Sequence, residues 1–368
     1  VKAGYVALIG RPNVGKSTLL NALLGQKVAI ISDKPQTTRI SILGIKSTEA
    51  GQIVFIDNPG IHRPLHTLNR RMMHFVHSAL ETADVLCLIV DAGERYGHGD
   101  EFVIETLRKV TTPLFLLINK VDIVRKDTIL PIIDKYKDLL PFKEIIPISA
   151  LKGTNLDVLE KRIYDFLPEA EKLYDDGTVT DQTLRFQLAE IIREKLLKRV
   201  KEELPFVTAV LVDTMEERKD TGESETEDRE GECGGGEPLD EWPETDFSST
   251  SASFDTRKTP EAGIHPVEGF RPEQKSSSLG QRDRPQKPAE QKRRAKVTYI
   301  RAAIFVERDN QRGIIIGQNG RVIKEIGIEA RREIEKILDS IVYLDLKVKV
   351  RKRWRDSAEV LDLIEGQR

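Results

Sequence analysis

Two cysteines, three methionines, two tryptophans and six histidines are spread through 368 residues. Cys87 lies in an apolar run and Cys233 in a Gly/Glu-rich one. This excludes a disulfide scaffold and a cysteine-based zinc site, and it fits a reducing cytoplasm. No apolar run approaches the roughly 18 residues of a membrane span, and the first residues have no signal-peptide pattern. The chain opens on Val1 rather than methionine, so a short missing leader is expected. An excess of either charge is lacking too. The 58 Lys+Arg and 60 Asp+Glu leave a net charge of −2, which excludes a uniformly basic nucleic-acid coat but not a basic patch on one domain. With 39% hydrophobic and 32% charged residues, the chain is polar for a globular protein, a sign of a solvated tract. Its length allows two or three domains.

What is present is strongly patterned. Through residue 167, short apolar runs alternate with amphipathic ones. Tyr5–Gly10, Ile53–Asp57, Val85–Asp91, Leu114–Asn119 and Ile145–Ser149 read as strands buried on both faces. Lys16–Leu24, Thr67–Thr82, Glu101–Val110, Asp127–Leu139 and Leu156–Leu167 read as helices. The alternation predicts an α/β domain over 1–170, a mostly parallel sheet with helices on both faces. A second unit, 171–217 and 296–360, reads as helix Gln182–Glu203, strand Phe206–Thr214, strand Val297–Glu307, helix Gly320–Leu338 and strand Val342–Val350. Between its halves, 218–295 is rich in Ser, Gly, Pro and Glu. The eleven acids and three bases of Met215–Asp240 belong mostly to this stretch, which predicts a disordered insertion because too little apolar surface is available to offset ordering. Residues 361–368 read as a tail.

The first constellation is a loop: Gly10, Arg11, Pro12, Asn13, Val14, Gly15, Lys16, Ser17 and Thr18 fit GxxxxGK[ST] between a strand and a helix. That context makes it a P-loop, in which backbone N–H groups and the helix N-terminus hold phosphates. Lys16 is expected on the β- and γ-phosphates and Ser17 on Mg²⁺. The base is chosen by Asn119, Lys120, Val121 and Asp122 at the end of an apolar strand. A carboxylate at Asp122 can accept both N1–H and N2–H₂ of guanine, a donor pair adenine lacks. Ser149 and Ala150 follow the last strand, where backbone N–H groups can reach the base. Asp57, Asn58, Pro59 and Gly60 end another strand. Asp57 can hold Mg²⁺ through water, and the Gly60 N–H can face the γ-phosphate. Thr37-Thr38 lies in the loop before, where Thr38 can ligate Mg²⁺ while a γ-phosphate is present. Ile61 stands where a water-positioning Gln is found in related enzymes, so slow intrinsic hydrolysis is expected, and the neighbouring His62 reads as a loop histidine.

The second constellation is Gly317, Gln318, Asn319 and Gly320, a GxxG followed by Arg321 and Lys324. In this order of helices and strands it matches a type II KH domain, whose GxxG clamps about four nucleotides of single-stranded RNA. Residues 292–368 hold 19 Lys+Arg against 12 Asp+Glu. The run Lys347–Arg355, with Lys349, Arg351, Lys352 and Arg353, interleaves bases with Trp354, a pattern suited to RNA.

The series RPNVGKST, KPQTTR, DNPG, NKVD and ISA is similar to the Era family of bacterial ribosome-assembly GTPases, within the TRAFAC class. Two departures are DNPG in place of DTPG, at Asn58, and the 218–295 tract, which family members normally lack. The resemblance implies a GTPase domain followed by a KH domain, binding GTP or GDP with Mg²⁺. It implies hydrolysis of GTP to GDP and phosphate, with Asn13, Lys16, Thr38 and Gly60 as the catalytic set. Its partners would be the 3′ end of 16S ribosomal RNA and the 30S subunit. A cytoplasmic monomer is expected, with peripheral contact at the inner membrane left open. The resemblance at Asn13 also raises K⁺ as a cofactor, in which Asn13 ligates the cation, against the alternative that Asn13 only holds the loop in shape. Two other readings stay open: a ribosome or tRNA-modification GTPase of another family, and a constitutive RNA-binding module with a structural nucleotide.

Overall fold

A computed structural model describes residues 1–219 and 296–368. The first sheet is built from β1 (Lys2–Gly10), β2 (Ile42–Ser47), β3 (Gly51–Asp57), β4 (Val85–Asp91), β5 (Leu114–Asn119) and β6 (Glu144–Pro147), in the order β2-β3-β1-β4-β5-β6. Only β2 runs antiparallel to its neighbour. The central strands are almost wholly buried, as strands covered on both faces must be. Their covering helices are α1 (Lys16–Leu24), α2 (Thr67–Thr82), α3 (His98–Leu107), α4 (Ile129–Tyr136) and α5 (Leu156–Phe166). Alternate side chains divide between two cores: Leu8, Phe55 and Phe115 on one face, Ile9, Ile56 and Leu116 on the other.

The second sheet has three strands, β7 (Ala209–Lys219), β8 (Lys296–Val306) and β9 (Ile341–Val350), in the order β7-β8-β9. β7 and β8 are antiparallel, β8 and β9 parallel. α6 (Leu184–Arg199) precedes the sheet and is followed by the short α7 (Leu204–Val207). α8 (Asp309–Ile316) and α9 (Arg321–Leu338) connect β8 to β9. The order α6-β7-β8-α8-α9-β9 is the type II KH order expected from sequence with α8 added between β8 and the GxxG. Ile192, Leu196, Ile326 and Ile334 seal the helix layer onto one face of the sheet.

Several boundaries differ from the sequence reading. β2 and α8 were not predicted: β2 is a short edge strand, and the glycine and run of isoleucines in α8 obscure its helical period. β7 begins at Ala209 because Pro205 and its neighbours form the turn of α7, and it continues to Lys219, two residues into the expected insertion. Residues 220–295, the rest of that tract, lie outside the described residues. The connection at 171–181 runs along the first sheet: the Val179 carbonyl accepts from Ile45 N–H at 2.8 Å, and Gln52 Oε1 accepts from the N–H groups of Leu173 and Tyr174. The expected tail is α10 (Ala358–Gly366), capped by Ser357. Val360 and Leu361 are buried with Trp354, Phe305, and Leu68 and Met72 of α2. The tail is therefore an interdomain element.

Candidate functional site

At the C-terminal edge of the first sheet, β1 runs into the P-loop. Two residues there take left-handed backbone, Asn13 (φ 65°) and Gly15 (φ 100°). A Cβ on Gly15 would stand 2.3 Å from Asn119 Nδ2, so glycine is needed for close approach as well as for conformation. Lys16 is buried at the start of α1, its Nζ donating to the Arg11 carbonyl at 2.8 Å. Burial pushes its pKa down to about 8, and Asp57 opposes the shift. Ser17 Oγ donates to Asp57 Oδ2 at 2.6 Å and lies 3.0 Å from Thr38 Oγ1. Burial pushes the Asp57 carboxyl up to about 6, against the pull of Lys16, and its Oδ1 is buried without a partner. Three oxygen-bearing side chains from three segments thus converge, one an orphaned carboxylate oxygen. That donor set fits Mg²⁺, a hard cation held by oxygen.

The base loops are cross-tied to the P-loop. Asn119 Nδ2 donates to the Val14 carbonyl at 2.8 Å, and its Oδ1 accepts from Ala150 N–H at 2.9 Å. Lys120 Nζ donates to the Asn13 carbonyl at 2.9 Å and pairs with Asp91 at 2.5 Å. Asp122 Oδ1 accepts from Ser149 Oγ at 2.6 Å, which fixes the plane of the carboxylate. Val121 donates its N–H to the Ile148 carbonyl, so all four residues of the motif are held. Thr18 is a half-buried residue of the first turn of α1. Arg11 points the other way, pairing with Asp100 at 3.0 Å and Glu94 at 3.1 Å, so it serves the loop from behind.

The DNPG turn and the loop before β2 both lie against the P-loop. A Cβ on Gly60 would come within 2.6 Å of Pro12 N, so the DNPG turn, with Pro59 in it, lies directly on the P-loop. Asn58 does not join Asp57 at the cation site. Its side chain is fully buried, accepting from Ser41 Oγ at 2.8 Å and donating to the Ile56 carbonyl at 3.1 Å. The departure from DTPG is accommodated by the hydrogen bond from Ser41. Ile61 is buried in the core, its N–H donating to the Gly10 carbonyl at 3.0 Å. His62 is more than a loop histidine. Its Nδ1 faces the Gly60 carbonyl at 2.7 Å, and its Nε2 meets Asn69 and, at 3.2 Å, Gln36. Asn13 Nδ2 donates to the Asp33 carbonyl at 2.7 Å.

Sequence reasoning missed the residues by which the second domain grips the first. Arg39 and Arg193 are buried, and Arg39 also stacks on Trp354 with 5.6 Å to the ring centroid. Asp356 Oδ1 accepts from the Thr67 N–H at 3.0 Å, capping α2 from outside its own domain. Arg71 pairs with Asp362 at 2.6 Å and Glu365 at 3.1 Å. The sequence reading assigned Arg39 no role, because nothing in the sequence marks its burial.

The GxxG forms the α8–α9 junction. Gly317 (φ 71°), Asn319 (φ 52°) and Gly320 (φ 72°) have positive φ, and Gln318 starts a single 3₁₀ turn. Arg321 is exposed and pairs with Glu325 at 3.0 Å, while Lys324 lies on the first turn of α9. Lys349 lies near the end of β9 and Arg351 just beyond it, followed by the exposed Lys352 and Arg353, all on different elements from the GxxG. Trp354 is not an RNA-facing aromatic. It is fully buried, with Nε1 donating to the Val207 carbonyl at 2.8 Å, and Arg355 pairs with Glu307 at 2.8 Å.

A P-loop with NKxD on one sheet and a GxxG on a type II KH fold define a guanine-nucleotide switch joined to an RNA-binding module. The family model described as "50S ribosome-binding GTPase" matches residues 5–120, and the KH-domain model matches 287–355. The chain is similar to a point variant of Era from Aquifex aeolicus bound to GDP and AlF₄⁻, with 35% identity over 99% of each chain and a TM-score of 0.75. It is also similar to Era in complex with MgGDPNP and nucleotides 1506–1542 of 16S ribosomal RNA, at 35% identity, 99% and 98% coverage, and a TM-score of 0.76. The chain belongs to the Era family of GTPases. No helix among the described residues is long and apolar enough to cross a membrane.

Proposed function

We propose that this protein is a GTP-hydrolysing switch that binds the single-stranded 3′ end of small-subunit ribosomal RNA and assists maturation of the 30S subunit. The observation that carries the reading is the joint match of both domains, across 99% of the chain, to a relative solved with MgGDPNP and a segment of 16S ribosomal RNA. Ser17, Thr38 and Asp57 are the residues to hold Mg²⁺, which when bound neutralises charge between the β- and γ-phosphates. Lys16 brings a poorly hydrated ammonium to the same phosphates, where low local dielectric strengthens its effect. The Gly60 N–H and Thr38 report the γ-phosphate to the two loops that carry them. Asp122, oriented by Ser149, reads guanine. Gly317–Gly320, Arg321 and Lys324 hold the RNA backbone, with Lys349, Arg351, Lys352 and Arg353 adding a basic surface.

The test is ultraviolet crosslinking to a 3′-end RNA oligonucleotide with a non-hydrolysable GTP analogue or with GDP. Stronger crosslinking with the analogue is expected. Equal crosslinking would favour a constitutive RNA-binding module. Asp122→Asn is expected to move nucleotide preference from GTP to XTP in competition binding, because xanthine presents a carbonyl where guanine has its amino group and Asn can donate to it. An unchanged preference would remove Asp122 from base recognition.

A further inference from the structure

Thr38 is the residue of the cation site with the least local support. Residues 37–41 belong to no helix or strand, so beyond its own contacts with Ser17 and Asp57 the direction of the Thr38 hydroxyl depends on what holds the peptides on either side. Both are held by the other domain. On one side, Arg193 of α6 donates from Nη2 to the Thr37 carbonyl. The same guanidinium is oriented by Glu190, one turn earlier, with Nε–Oε1 and Nη2–Oε2 distances of 2.7 Å each. A fork-to-fork pair fixes the plane of the guanidinium as well as its position. On the other side, Arg39 donates from Nη1 to the Thr208 carbonyl at 2.6 Å and from Nη2 to the Pro205 carbonyl at 2.8 Å. Only 3% of Arg193 and 7% of Arg39 is exposed, so water does not compete for these bonds.

We propose that Arg193, oriented by Glu190, is a positioning residue for GTP hydrolysis: a side chain of the RNA-binding domain fixes the Thr37 carbonyl and thereby holds the Thr38 hydroxyl at the cation site. The GTPase domain alone therefore has an incompletely ordered site, although its P-loop and base loops are self-sufficient. The inference rests on reading this site as one for Mg²⁺ and GTP. It makes a division that a merely loosened interface does not. Thr38 is needed only while a γ-phosphate is bound, so GDP affinity is independent of Arg193, whereas analogue affinity, Mg²⁺ requirement and turnover depend on it.

The experiment uses the full chain with Arg193→Ala, Arg193→Lys and Glu190→Gln. Lys27→Ala is the control, since it cuts the interface pairs to Glu194 (2.8 Å) and Glu333 (2.6 Å) ten residues earlier in the same connection and leaves the Arg193 bond to the Thr37 carbonyl untouched. Fluorescent GDP and GTP-analogue binding, Mg²⁺ titration and single-turnover hydrolysis are measured. Arg193→Ala is expected to slow hydrolysis about tenfold and raise the half-saturating Mg²⁺ severalfold, the scale of one lost hydrogen bond to a positioned group, with GDP affinity within about twofold of the parent. Arg193→Lys, which keeps a donor but not the fork, is expected to recover part of the rate. Glu190→Gln keeps the size of a partly exposed side chain and is expected to act in the same direction even if Arg193→Ala fails to fold. Parental hydrolysis in Glu190→Gln and Arg193→Lys, an equal loss in Lys27→Ala, or a parallel fall in GDP affinity would overturn the proposal. Failure of the parent protein to bind GDP would strike the nucleotide reading instead.

Discussion

Asp57 carries its role at an electrostatic cost. Its folded-state pKa of about 6 lies above the ordinary 3.8, so the folded protein holds this proton more tightly than the unfolded chain does. The resulting stabilisation is complete below 3.8 and is lost as pH rises through 6, on the order of 3 kcal/mol in all. Lys16 has the mirror relation: its pKa is lowered to about 8, so its penalty is full below 8 and is relieved only as pH rises toward 10.5. Near neutral pH both groups are ionised at a cost that phosphate and a divalent cation remove. Because the cation must displace the Asp57 proton, Mg²⁺ affinity is predicted to fall about tenfold per pH unit below 6. Titration calorimetry of the GDP complex from pH 5 to 7.5 checks this, and Asp57→Asn is expected to bind weakly with a flat profile. Asn13 offers a second prediction. Its amide nitrogen is committed to the Asp33 carbonyl, while the amide oxygen is of the type that ligates a monovalent cation. Such a cation beside the phosphates would supply charge stabilisation that the buried Ile61 cannot. K⁺ is therefore expected to accelerate single-turnover hydrolysis over Na⁺ at equal ionic strength, and Asn13→Ala to remove the difference while GTP binding survives. Equal parental rates in the two salts would leave Asn13 only the role of holding its loop.

At the level of elements, the two glycines of GxxG are not equivalent. A Cβ on Gly317 would stand 2.5 Å from the Val322 side chain, whereas nothing lies within 4 Å of one on Gly320. Gly320 (φ 72°, ψ 15°) is left-handed, which costs a non-glycine residue roughly 1–2 kcal/mol, whereas Gly317 (φ 71°, ψ 173°) lies in a region that essentially only glycine populates. Gly317→Ala adds a clash inside the α8–α9 turn and is predicted to lower the melting temperature more than Gly320→Ala. Gly320→Asp fits sterically but brings negative charge to the phosphate path. It is predicted to weaken RNA binding at least tenfold in gel shift, with GTP affinity unchanged. Retained RNA affinity would take the GxxG out of the interface. These elements differ in how far sequence revealed them. The strands β1, β3, β4 and β5 were legible because burial on both faces leaves an unbroken apolar run, and α1 and α2 because glycine punctuation or a clear period delimits them. Neither aid exists for α8, and Lys347–Arg355 misled because the aromatic in a basic run does not say which way it points: Trp354 faces inward.

For the whole molecule, the nucleotide chemistry was legible and the joint between domains was not. Motifs such as GxxxxGKS, DNPG and NKVD keep local spacing, so Lys16, Ser17, Asp57 and Asp122 could be put forward before any fold was known, and the fold gathers Lys16, Ser17 and Asp57 at one place. The grip of Arg193 on the Thr37 carbonyl spans 156 residues, and that of Asp356 on Thr67 spans 289; nothing local marks either partner. The same topology makes a prediction about the tract that separates β7 from β8. Lys219 and Lys296 are the last paired residues of an antiparallel ladder that continues through Arg218↔Val297 and Glu217↔Thr298. The two chain ends leaving the sheet are therefore adjacent, and a two-residue turn can join them with the twist that antiparallel strands require. Replacing 220–295 by Asn-Gly is predicted to keep the KH sheet, the Arg193 and Arg39 contacts behind it, and both GTP and RNA affinity. Closing a short loop in place of a long one also lowers the entropy of closure by a few kcal/mol at most, so the melting temperature should hold or rise slightly. Thermal melting, nucleotide binding and gel shift on the shortened chain decide the matter. Loss of folding would mean that contacts from 220–295 complete the second domain. A gain in RNA affinity, removed by salt, would mean that the eleven acids of Met215–Asp240, most of them deleted here, compete with RNA for the basic surface.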